Sequence, residues 1–503
     1  MENELNRIEL SPNRITRFLK KPPEEFTRRD LIAFIKENGI EAINFRHVAG
    51  DGRLKTLNFI ITSESQVDNL LSSGERVDGS SLFPYIDAAS SDLYVIPRYK
   101  TAFVNPFSTI PAIDILCSYY TKEGIQLPSS PDKILKQAHD SLIRSTGLSF
   151  EAMGELEYYV VSDRKQLYPA ITQKGYQESS PFCKWEALRY EAMQVIAQAG
   201  GIIKYGHSEV GHIYGEDNEM EQHEIEFAPV AVEDAADQIT IAKWALRMIG
   251  YKYGVVISFT PKILVGHAGS GLHIHTSLVK QGTNMMVDGN GLSDIAKRAI
   301  AGYLSLAPSL TALGNTIPLS FLRLVPHQEA PTNICWGDRN RSVLVRVPLG
   351  WQNVGNMARD ANPQEIDDSN NSRNSQTVEF RCPDGSANIH LLLAGLAVAA
   401  RHGLEMEGSL ELAKCLYVDV NIYAPEHKQI QDRLPQLPTS CWDSAECFLR
   451  DRQIYERDGV FPPVVIDSLV KILRSYNDRE LSQLYYGKGD EIKKLVNEYF
   501  YCA

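Results

Sequence analysis

Four short segments of this chain alternate polar, chemically active side chains with apolar neighbours. The segments GELEYYV, HEIEFAP, GSGLHIHTS and TVEFRCP carry these polar residues at every second position: Glu155, Glu157, Glu224, Glu226, His273, His275, Ser277, Glu379 and Arg381. A period of two is the pattern of a β-strand whose two faces differ, so each segment predicts a strand with one polar face. One sheet face could carry all of these groups, although any segment taken alone is more typical of a solvated antiparallel strand.

The five glutamates of these segments indicate a divalent-cation site. Neighbouring carboxylates on a sheet repel one another and glutamate is depleted in strands, so a face with five of them is destabilised unless a cation lies among them. Ligation by many oxygens and a single imidazole suits Mg²⁺ or Mn²⁺ better than zinc, which prefers nitrogen and sulfur. His275 taken alone is as typical of a hydrogen-bonded core histidine as of a ligand contact.

A cluster of arginines lies between the last two of these segments. Arg323, Arg339, Arg341 and Arg346 fall close together, and Arg381 adds a fifth guanidinium. Any one arginine is as often an exposed surface residue as a binding residue. Arg346, however, lies inside the strand-like VLVRVP, where a lone exposed charge is less expected. Planar guanidinium groups match phosphate and carboxylate oxygens, so arginines beside a divalent cation indicate a polyphosphate and an anionic cosubstrate. The sequence has no G-x-x-x-x-G-K-[ST] motif, so a P-loop does not hold that phosphate.

Bulk properties exclude several classes of protein. The formal net charge of −12 disfavours a general nucleic-acid binder, because phosphate contacts need a basic surface. The amino-terminal segment is charged throughout and lacks the apolar core of a secretory signal. The apolar run LLLAGLAVAA at 391–400 is half the roughly 20 residues that a membrane span needs, so it predicts a buried helix. Eight scattered cysteines without a C-x-x-C pair are typical of free thiols, and we expect a cytoplasmic protein that binds no membrane.

Turn signals and composition divide the chain into two domains. Residues 42–61 predict two strands joined by a turn at AGDG, and a small β-rich domain at 1–117 follows from this hairpin. The polar segment TKEGIQLPSSPDK separates it from a larger domain at 118–503, which mixes strands with amphipathic helices. Within that domain, 232–254 predicts a helix of about six turns that ends at Gly254, and 361–377 predicts a long polar loop.

Together these motifs resemble those of the glutamine synthetase family, most closely its bacterial type I form. The resemblance covers nearly the whole chain and rests on ERVDGSSLFPYIDAASSDLYVIP, GELEYY, GSGLHIH, RLVPHQEAP, RNRSVLVRVP and VEFRCPDGSAN in this order. It implies an α+β fold with a small amino-terminal β-grasp domain and a larger catalytic domain, in which a curved antiparallel sheet, flanked by helices, lines the active site. It also implies a homo-oligomer of two stacked hexameric rings.

The resemblance implies roles for individual residues. Six cation ligands are implied in two groups, the first being Glu157, Glu209 and Glu224 and the second Glu155, His273 and Glu379. The residues implied to contact ATP and its phosphates are His275, Ser277, Arg341 and Arg346. Those implied to hold glutamate are Arg323 and Arg381, through its carboxylates, and the backbone at Gly269, near its amino group.

An ammonium site is implied as well. Ammonium would bind among the anionic Asp78, Glu209 and Glu329, together with Tyr176 and Ser81. In the family, the residue at the position of Asp78 reaches this site from the neighbouring subunit, and the loop that carries Glu329 closes the site against water. An enclosed anionic pocket selects a small cation, so these residues favour ammonium over a larger amine.

The implied activity is the ATP-dependent ligation of ammonia to the γ-carboxylate of L-glutamate. The γ-carboxylate would attack the γ-phosphate of ATP, while two or more Mg²⁺ or Mn²⁺ ions, Arg341 and Arg381 neutralise the developing charge. The resulting γ-glutamyl phosphate would react with ammonia to give L-glutamine, ADP and phosphate. Two alternatives remain, a γ-glutamyl-amine ligase that uses an organic amine and an inactive structural relative.

Three positions depart from the family pattern. HIYGEDNEM lengthens the connection between Glu209 and Glu224, Thr377 replaces a basic residue, and Ala268 replaces a frequent asparagine. These changes bear on substrate affinity rather than on the reaction. Tyr423 lies near a tyrosine that some type I enzymes carry in adenylylated form, but its flanking residues differ and leave regulation there open.

Overall fold

The structure is a computed structural model of the chain and describes residues 8–289, 291–325, 330–350, 357–365, 375–481 and 489–502. Its amino-terminal part is a six-stranded sheet with the strands Ala42–Val48 (β1), Leu54–Ile60 (β2), Glu75–Asp78 (β3), Asp92–Pro97 (β4), Phe103–Val104 (β5) and Ala112–Tyr120 (β6). The main path of the sheet runs β2-β1-β6-β4-β3, with β5 also paired to β6. Strands β1 and β6 are parallel, and the other pairs are antiparallel.

The amino-terminal sheet has its own hydrophobic core. The helices Arg14–Leu19, Arg28–Glu37 and Glu64–Ser73 flank it. The predicted hairpin is confirmed, because β1 and β2 pair from Ala42 and Ile60 to Val48 and Leu54, and Gly52 supplies the positive φ of the turn. The predicted boundary at Cys117 falls inside β6, which continues to Tyr120 as a paired strand of this sheet.

A second sheet of ten strands dominates the larger part. The remaining strands are Ser149–Asp163 (β7), Ile203–Tyr214 (β8), Asn218–Phe227 (β9), Val230–Ala231 (β10), Val256–Ser258 (β11), Leu272–Lys280 (β12), Thr283–Asn284 (β13), Val287–Asp288 (β14), Gly291–Leu292 (β15), Trp336–Asp338 (β16), Val345–Val347 (β17) and Val378–Phe380 (β18). The sheet runs β16-β17-β18-β12-β7-β9-β8, while β10 and β11 pair with β7, β13 pairs with β12, and β14 and β15 form a separate hairpin. All its pairs are antiparallel except β16 with β17.

Helices cover one side of this sheet and form the main hydrophobic core with it. The α-helices of the larger part are Pro131–Thr146, Glu186–Gln198, Val232–Tyr253, Asp294–Gly314, Pro318–Arg323, Met357–Ala361, Ile389–Glu405, Ser409–Cys415, Lys428–Gln431, Cys441–Arg450, Arg452–Glu456, Pro463–Ser475 and Gly489–Glu498. Most of the loop predicted at 361–377 lies outside the described residues.

Two predicted helices are confirmed. Val232–Tyr253 has acidic residues in its first turn and ends at Gly254, which adopts the left-handed conformation. It packs so closely on β7 that a Cβ atom on Gly154 would lie 2.8 Å from Ile239 Cδ1, which explains the glycine at the start of GELEYYV. The apolar run at 391–400 lies in the buried helix Ile389–Glu405, which packs against Asp294–Gly314 and Pro131–Thr146.

No single helix in the described part of the chain is long and apolar enough to cross a membrane. Ile389–Glu405 and Ser409–Cys415 reach such a length and apolar composition only when they are taken together. The second helix is bent by 107° relative to the first.

Candidate active site

The acidic and imidazole residues lie on one face of the ten-stranded sheet, opposite the helices. The directly opposed pairs are His273 and Glu155, Glu155 and Glu226, Glu157 and Glu224, His275 and Glu379, and Glu379 and Arg346. Residues directly opposed on antiparallel strands point to the same side of the sheet. The predicted common face is therefore confirmed.

A cavity of about 770 Å³ lies over this face. It is lined by all six residues implied as cation ligands, namely Glu155, Glu157, Glu209, Glu224, His273 and Glu379. The other predicted site residues that line it are Tyr176, Gly269, His275, Arg323, Arg341, Arg346 and Arg381. The fold thus brings together acidic, imidazole and guanidinium groups from distant parts of the sequence.

One predicted group of cation ligands is assembled around His273. Glu155, His273 and Glu379 each offer a ligand atom, and these atoms lie within 4.8 Å of one another. Nδ1 of His273 lies 2.8 Å from Oε2 of Glu155 and 3.5 Å from Oε1 of Glu379. Burial and the charge of Glu155 oppose the ionisation of Glu379, but Arg381 and the neighbouring histidines hold its pKa below the ordinary value.

The other predicted group is assembled only in part, with His207 where Glu157 was expected. The ligand atoms of His207, Glu209 and Glu224 lie within 4.8 Å of one another, whereas Oε2 of Glu157 accepts a 2.7 Å hydrogen bond from the backbone N–H of Gly271. Burial and the neighbouring carboxylates raise the pKa of Glu224 well above its ordinary value. A bound cation would remove this penalty, because it would pair with the buried negative charge.

Both groups fit a divalent cation by their donor chemistry. Each combines carboxylate oxygens with one imidazole, which is a donor set suited to Mn²⁺ and, through the oxygens, to Mg²⁺. His207 was not among the residues predicted from the sequence. The sequence does contain a signal that could have identified it. His207 lies two residues before Glu209 in KYGHSEV, and this spacing is the same alternation of polar residues that the other acidic strands show.

Arg323 is almost fully buried beneath the cavity. Its Nη1 donates a 2.8 Å hydrogen bond to the backbone carbonyl of Cys382. Gly271 makes this arrangement possible, because a Cβ atom there would lie 2.5 Å from Nη2 of Arg323 and 2.9 Å from Nε2 of His273. The glycines of GSGLHIH therefore make room for an arginine and an imidazole side by side.

Two of the other arginines contact Glu379. Nη1 of Arg346 and Nε of Arg381 donate to its two oxygens at 2.9 and 3.0 Å, and Nη1 of Arg381 also donates to the backbone carbonyl of Arg341. Arg341 itself is an exposed residue that lines the cavity. Arg339, the remaining member of the sequence cluster, is exposed at a positive φ and does not line the cavity.

His275 and Ser277 were both expected to contact ATP, but they differ in their position relative to the cavity. His275 lines the cavity, with Nδ1 3.0 Å from Oγ1 of Thr377 and Nε2 2.8 Å from Oε1 of Glu155. Ser277 is buried, and its hydroxyl donates a 3.3 Å hydrogen bond to Glu151 instead of lining the cavity. Thr377, which stands where a basic residue was expected, thus positions the His275 ring.

The residues expected around ammonium are divided between the two domains. Tyr176 and Glu209 line the cavity, but Asp78 and Ser81 lie at the edge strand of the amino-terminal sheet and do not line it. The Asp78 carboxylate is exposed, and it accepts a 2.7 Å hydrogen bond from the Ser81 hydroxyl, which lowers its pKa. Glu329 lies outside the described residues.

A third group of potential metal-ligating residues lies at the opposite face of β9. A positively charged side chain of the protein itself contacts this group. Cys183, Glu221 and His223 are buried close together. Nη1 of Arg189 donates a 2.7 Å hydrogen bond to Nδ1 of His223, and Nε2 of the same ring lies 2.8 Å from Oε1 of Glu221. Glu221 also accepts a 2.8 Å hydrogen bond from the backbone N–H of Lys184. This group therefore anchors the loop before Glu186–Gln198.

The fold and the cavity define a two-domain enzyme whose active site combines acidic cation ligands with several arginines. The chain belongs to the glutamine synthetase family. The family model described as "Glutamine synthetase, catalytic domain" matches residues 128–483, and the model described as "Glutamine synthetase, beta-Grasp domain" matches residues 39–122. The predicted α+β fold, with an amino-terminal β-grasp domain and a larger catalytic domain, is thereby confirmed.

Similar proteins support the same family. Glutamine synthetase of Clostridium saccharobutylicum is 28% identical over 442 residues, which cover 86% of this chain and 91% of that protein. The cryo-EM structure of Plasmodium falciparum glutamine synthetase superposes with a TM-score of 0.73 at 19% identity and covers 92% of this chain and 98% of its own. A ligand-free structure of GmaS superposes with a TM-score of 0.69 at 18% identity, covering 90% and 96%. At this identity the two structures establish the fold only.

Proposed function

We propose that the chain ligates ammonia to the γ-carboxylate of L-glutamate, converting ATP into ADP and phosphate and forming L-glutamine through γ-glutamyl phosphate. The observation that carries the proposal is the meeting of two cation-ligand groups and four arginines in one cavity. Phosphoryl transfer needs little covalent chemistry from a protein and depends on positioning and charge neutralisation. A cavity with these groups supplies both.

The arginines have separable roles in this proposal. Mg²⁺ or Mn²⁺, when bound, would supply Lewis-acid neutralisation of the phosphate oxygens. Arg341, which is exposed toward the cavity, is free to meet the transferred phosphoryl group, and Arg346 reaches the same region from β17. Arg323 and Arg381 would hold the carboxylates of glutamate, with the backbone at Gly269 near its amino group. His275 would contact the nucleotide, and we propose the same for Ser277 only if the strand shifts when ATP binds.

The ammonium site in this proposal requires a second copy of the chain. Tyr176 and Glu209 provide one half, and Asp78 with Ser81 would come from the amino-terminal domain of a neighbouring subunit, as in two stacked hexameric rings of the type I form. The proposal is supported by the position of Asp78, which is exposed at a sheet edge and away from the cavity of its own chain. Glu329 would complete the enclosure.

A second candidate function is a γ-glutamyl-amine ligase. The observation that favours it is a group of three rings at the acidic end of the cavity, where Tyr176 and Tyr205 flank His207 at ring-centre distances of 5.2 and 5.8 Å. Aromatic faces attract alkylammonium groups through cation–π interactions. An organic amine could therefore bind where ammonium is proposed.

Steady-state rates with ammonium and with a panel of monoamines and polyamines decide between the two. We expect ammonium to have the highest kcat/KM, with glutamate and ATP as cosubstrates. An amine that exceeds ammonium by tenfold, which is about 1.4 kcal/mol of discrimination, would establish the second candidate instead. Absence of turnover with every amine, in protein that binds ATP and Mn²⁺, would reject both.

A further inference from the structure

Glu224 is a buried carboxylate whose surroundings are mostly acidic. Its residue is only 6% exposed. The carboxylates of Glu155, Glu157 and Glu209 act on it with like charge. Among the residues that the structure describes, the only nitrogen of a basic side chain near its oxygens is Nε2 of His207, 3.2 Å from Oε1. A buried charge in this position requires a positive partner.

The His207 ring is oriented by three of its neighbours. Nδ1 lies 2.9 Å from the backbone carbonyl oxygen of Ser208. Since a carbonyl oxygen only accepts, Nδ1 carries the proton and donates it. Tyr205 stacks on the ring at an interplanar angle of 29°, and Tyr176 meets it edge-on at 72°. These contacts fix the plane of the imidazole and the side from which Nε2 faces the cavity.

This orientation brings two lone pairs face to face. In the neutral ring with a proton on Nδ1, Nε2 is an acceptor, and it points at the Glu224 carboxylate from the opposing position on the neighbouring strand. Two acceptors 3.2 Å apart repel each other unless a proton or a cation lies between them. Adjacent ligands held at roughly 2.1 Å by an octahedral ion are themselves about 3 Å apart. The observed separation matches that of two neighbouring ligands of one ion, and the ligand atoms of His207, Glu209 and Glu224 all lie within 4.8 Å of one another.

We infer that His207 is a nitrogen ligand of the first cation, together with Glu209 and Glu224. This inference rests on the proposed function, which requires that cation. It gives each of the two cation sites one imidazole and two carboxylates, since His273 has the same place beside Glu155 and Glu379. A nitrogen donor lowers the relative affinity for Mg²⁺, which prefers oxygen ligands, so the first site should select Mn²⁺.

Electron paramagnetic resonance of bound Mn²⁺ tests the inference directly, because a coordinated imidazole couples its ¹⁴N nucleus to the metal. The full-length His273→Asn variant removes the other proposed imidazole ligand. With one equivalent of Mn²⁺ it should still show ¹⁴N coupling, and the variant that also carries His207→Gln should lose that coupling. Bound Mn²⁺ without ¹⁴N coupling in His273→Asn, or coupling that persists in the double variant, would overturn the assignment of His207.

Affinity measurements on single variants give a second readout that does not require the double variant to fold. His207→Gln should weaken one of the two Mn²⁺ sites on the order of 10- to 100-fold, and it should weaken Mg²⁺ binding less. His427→Gln is the control, because His427 lies outside the cavity, where its Nδ1 is 3.0 Å from the backbone carbonyl oxygen of Asn421. Unchanged Mn²⁺ affinity in His207→Gln overturns the inference and leaves the proposed function intact. Failure of the wild-type protein to bind Mn²⁺ would reject the proposed function as well.

Discussion

Arg346 and Glu379 form an ion pair across two neighbouring strands, with Nη1 of the arginine 2.9 Å from Oε2 of the carboxylate. Glu379 is 1% exposed and also faces His273 and Arg381. An arginine proposed to meet phosphate thus also neutralises a proposed cation ligand. Changes at either residue should therefore affect metal binding and nucleotide binding together.

The first prediction concerns Glu379 and metal dependence. Glu379→Gln should remove one of two Mn²⁺ ions per chain and lower turnover on the order of 100-fold, because it removes a ligand and leaves Arg346 and Arg381 beside a neutral amide. Equilibrium dialysis and steady-state rates measure both effects. Turnover of the wild-type protein should vanish in excess chelator and return with Mg²⁺ or Mn²⁺.

Glu411→Gln is the matched control, because Glu411 is exposed on the helix Ser409–Cys415. It should change neither Mn²⁺ stoichiometry nor turnover. Full turnover in excess chelator, or two bound Mn²⁺ ions in Glu379→Gln, would contradict the assigned site.

The second prediction concerns Gly271. An alanine there would place a Cβ atom 2.5 Å from Nη2 of Arg323 and 2.9 Å from Nε2 of His273, so one of these groups must move. We expect Gly271→Ala to lower kcat/KM for glutamate on the order of tenfold or more, since displacements of about 1 Å have costs of that size or larger. Gly291→Ala should leave kcat/KM unchanged, because no atom of the residues that the structure describes lies within 4 Å of its added Cβ. Equal activity of both variants would show that Gly271 has no positioning role.

The third prediction concerns pH and the contact between the two domains. Asp237 accepts hydrogen bonds of 2.7 and 2.9 Å from Arg98 of the amino-terminal domain, and His390 lies 3.2 Å away. Burial opposes the ionisation of Asp237, but Arg98 and His390 hold its pKa below the ordinary value of 3.8. The stability from this pair is therefore fully present above about pH 4 and is lost as the pH falls toward the lowered pKa.

Melting curves of Asp237→Asn and wild-type protein between pH 7 and pH 3 test this. Removing one partner of a buried pair should cost about 3 kcal/mol at pH 7, and the difference between the two proteins should shrink with acid. Asp234→Asn is the control, because its partner Lys100 is 36% exposed at the side chain and such pairs contribute about 1 kcal/mol or less. A difference that is constant with pH would contradict the linkage.

The fourth prediction concerns assembly. If Asp78 completes the cavity of a neighbouring subunit, Asp78→Ala and Arg341→Ala should each be nearly inactive as pure oligomers. When the two proteins are dissociated, mixed and reassembled, some interfaces would pair an intact Asp78 with an intact Arg341. Part of the activity should therefore reappear in the mixture, as a heterologous ring contact predicts.

A mixture of Arg341→Ala with Arg346→Ala is the control, because both residues line the cavity of the same chain. No active site in that mixture can contain both arginines, so its activity should stay at the level of the parents. If mixed oligomers of Asp78→Ala and Arg341→Ala form and remain inactive, Asp78 does not act across subunits.

Much of the candidate site was predictable from the sequence because the face of a strand is a local property. Side chains at every second position point the same way in any strand, so Glu155 with Glu157 and Glu224 with Glu226 could be assigned to common faces before any pairing was known. Composition and turn residues likewise predicted the hairpin at 42–61 and the helix that ends at Gly254. Family motifs then named the residues that the cavity brings together.

Other features were decided by contacts between residues far apart in the sequence. The register of β8 against β9, with a shift between Ser208 and His212, places His207 opposite Glu224. The depth of Ser277 below the cavity and the burial of Arg323 under Gly271 depend on how strands and helices pack. Alternation in a sequence specifies the face of each strand, but register, depth and the distance of Asp78 from the cavity depend on long-range pairing and domain packing, which local patterns do not encode.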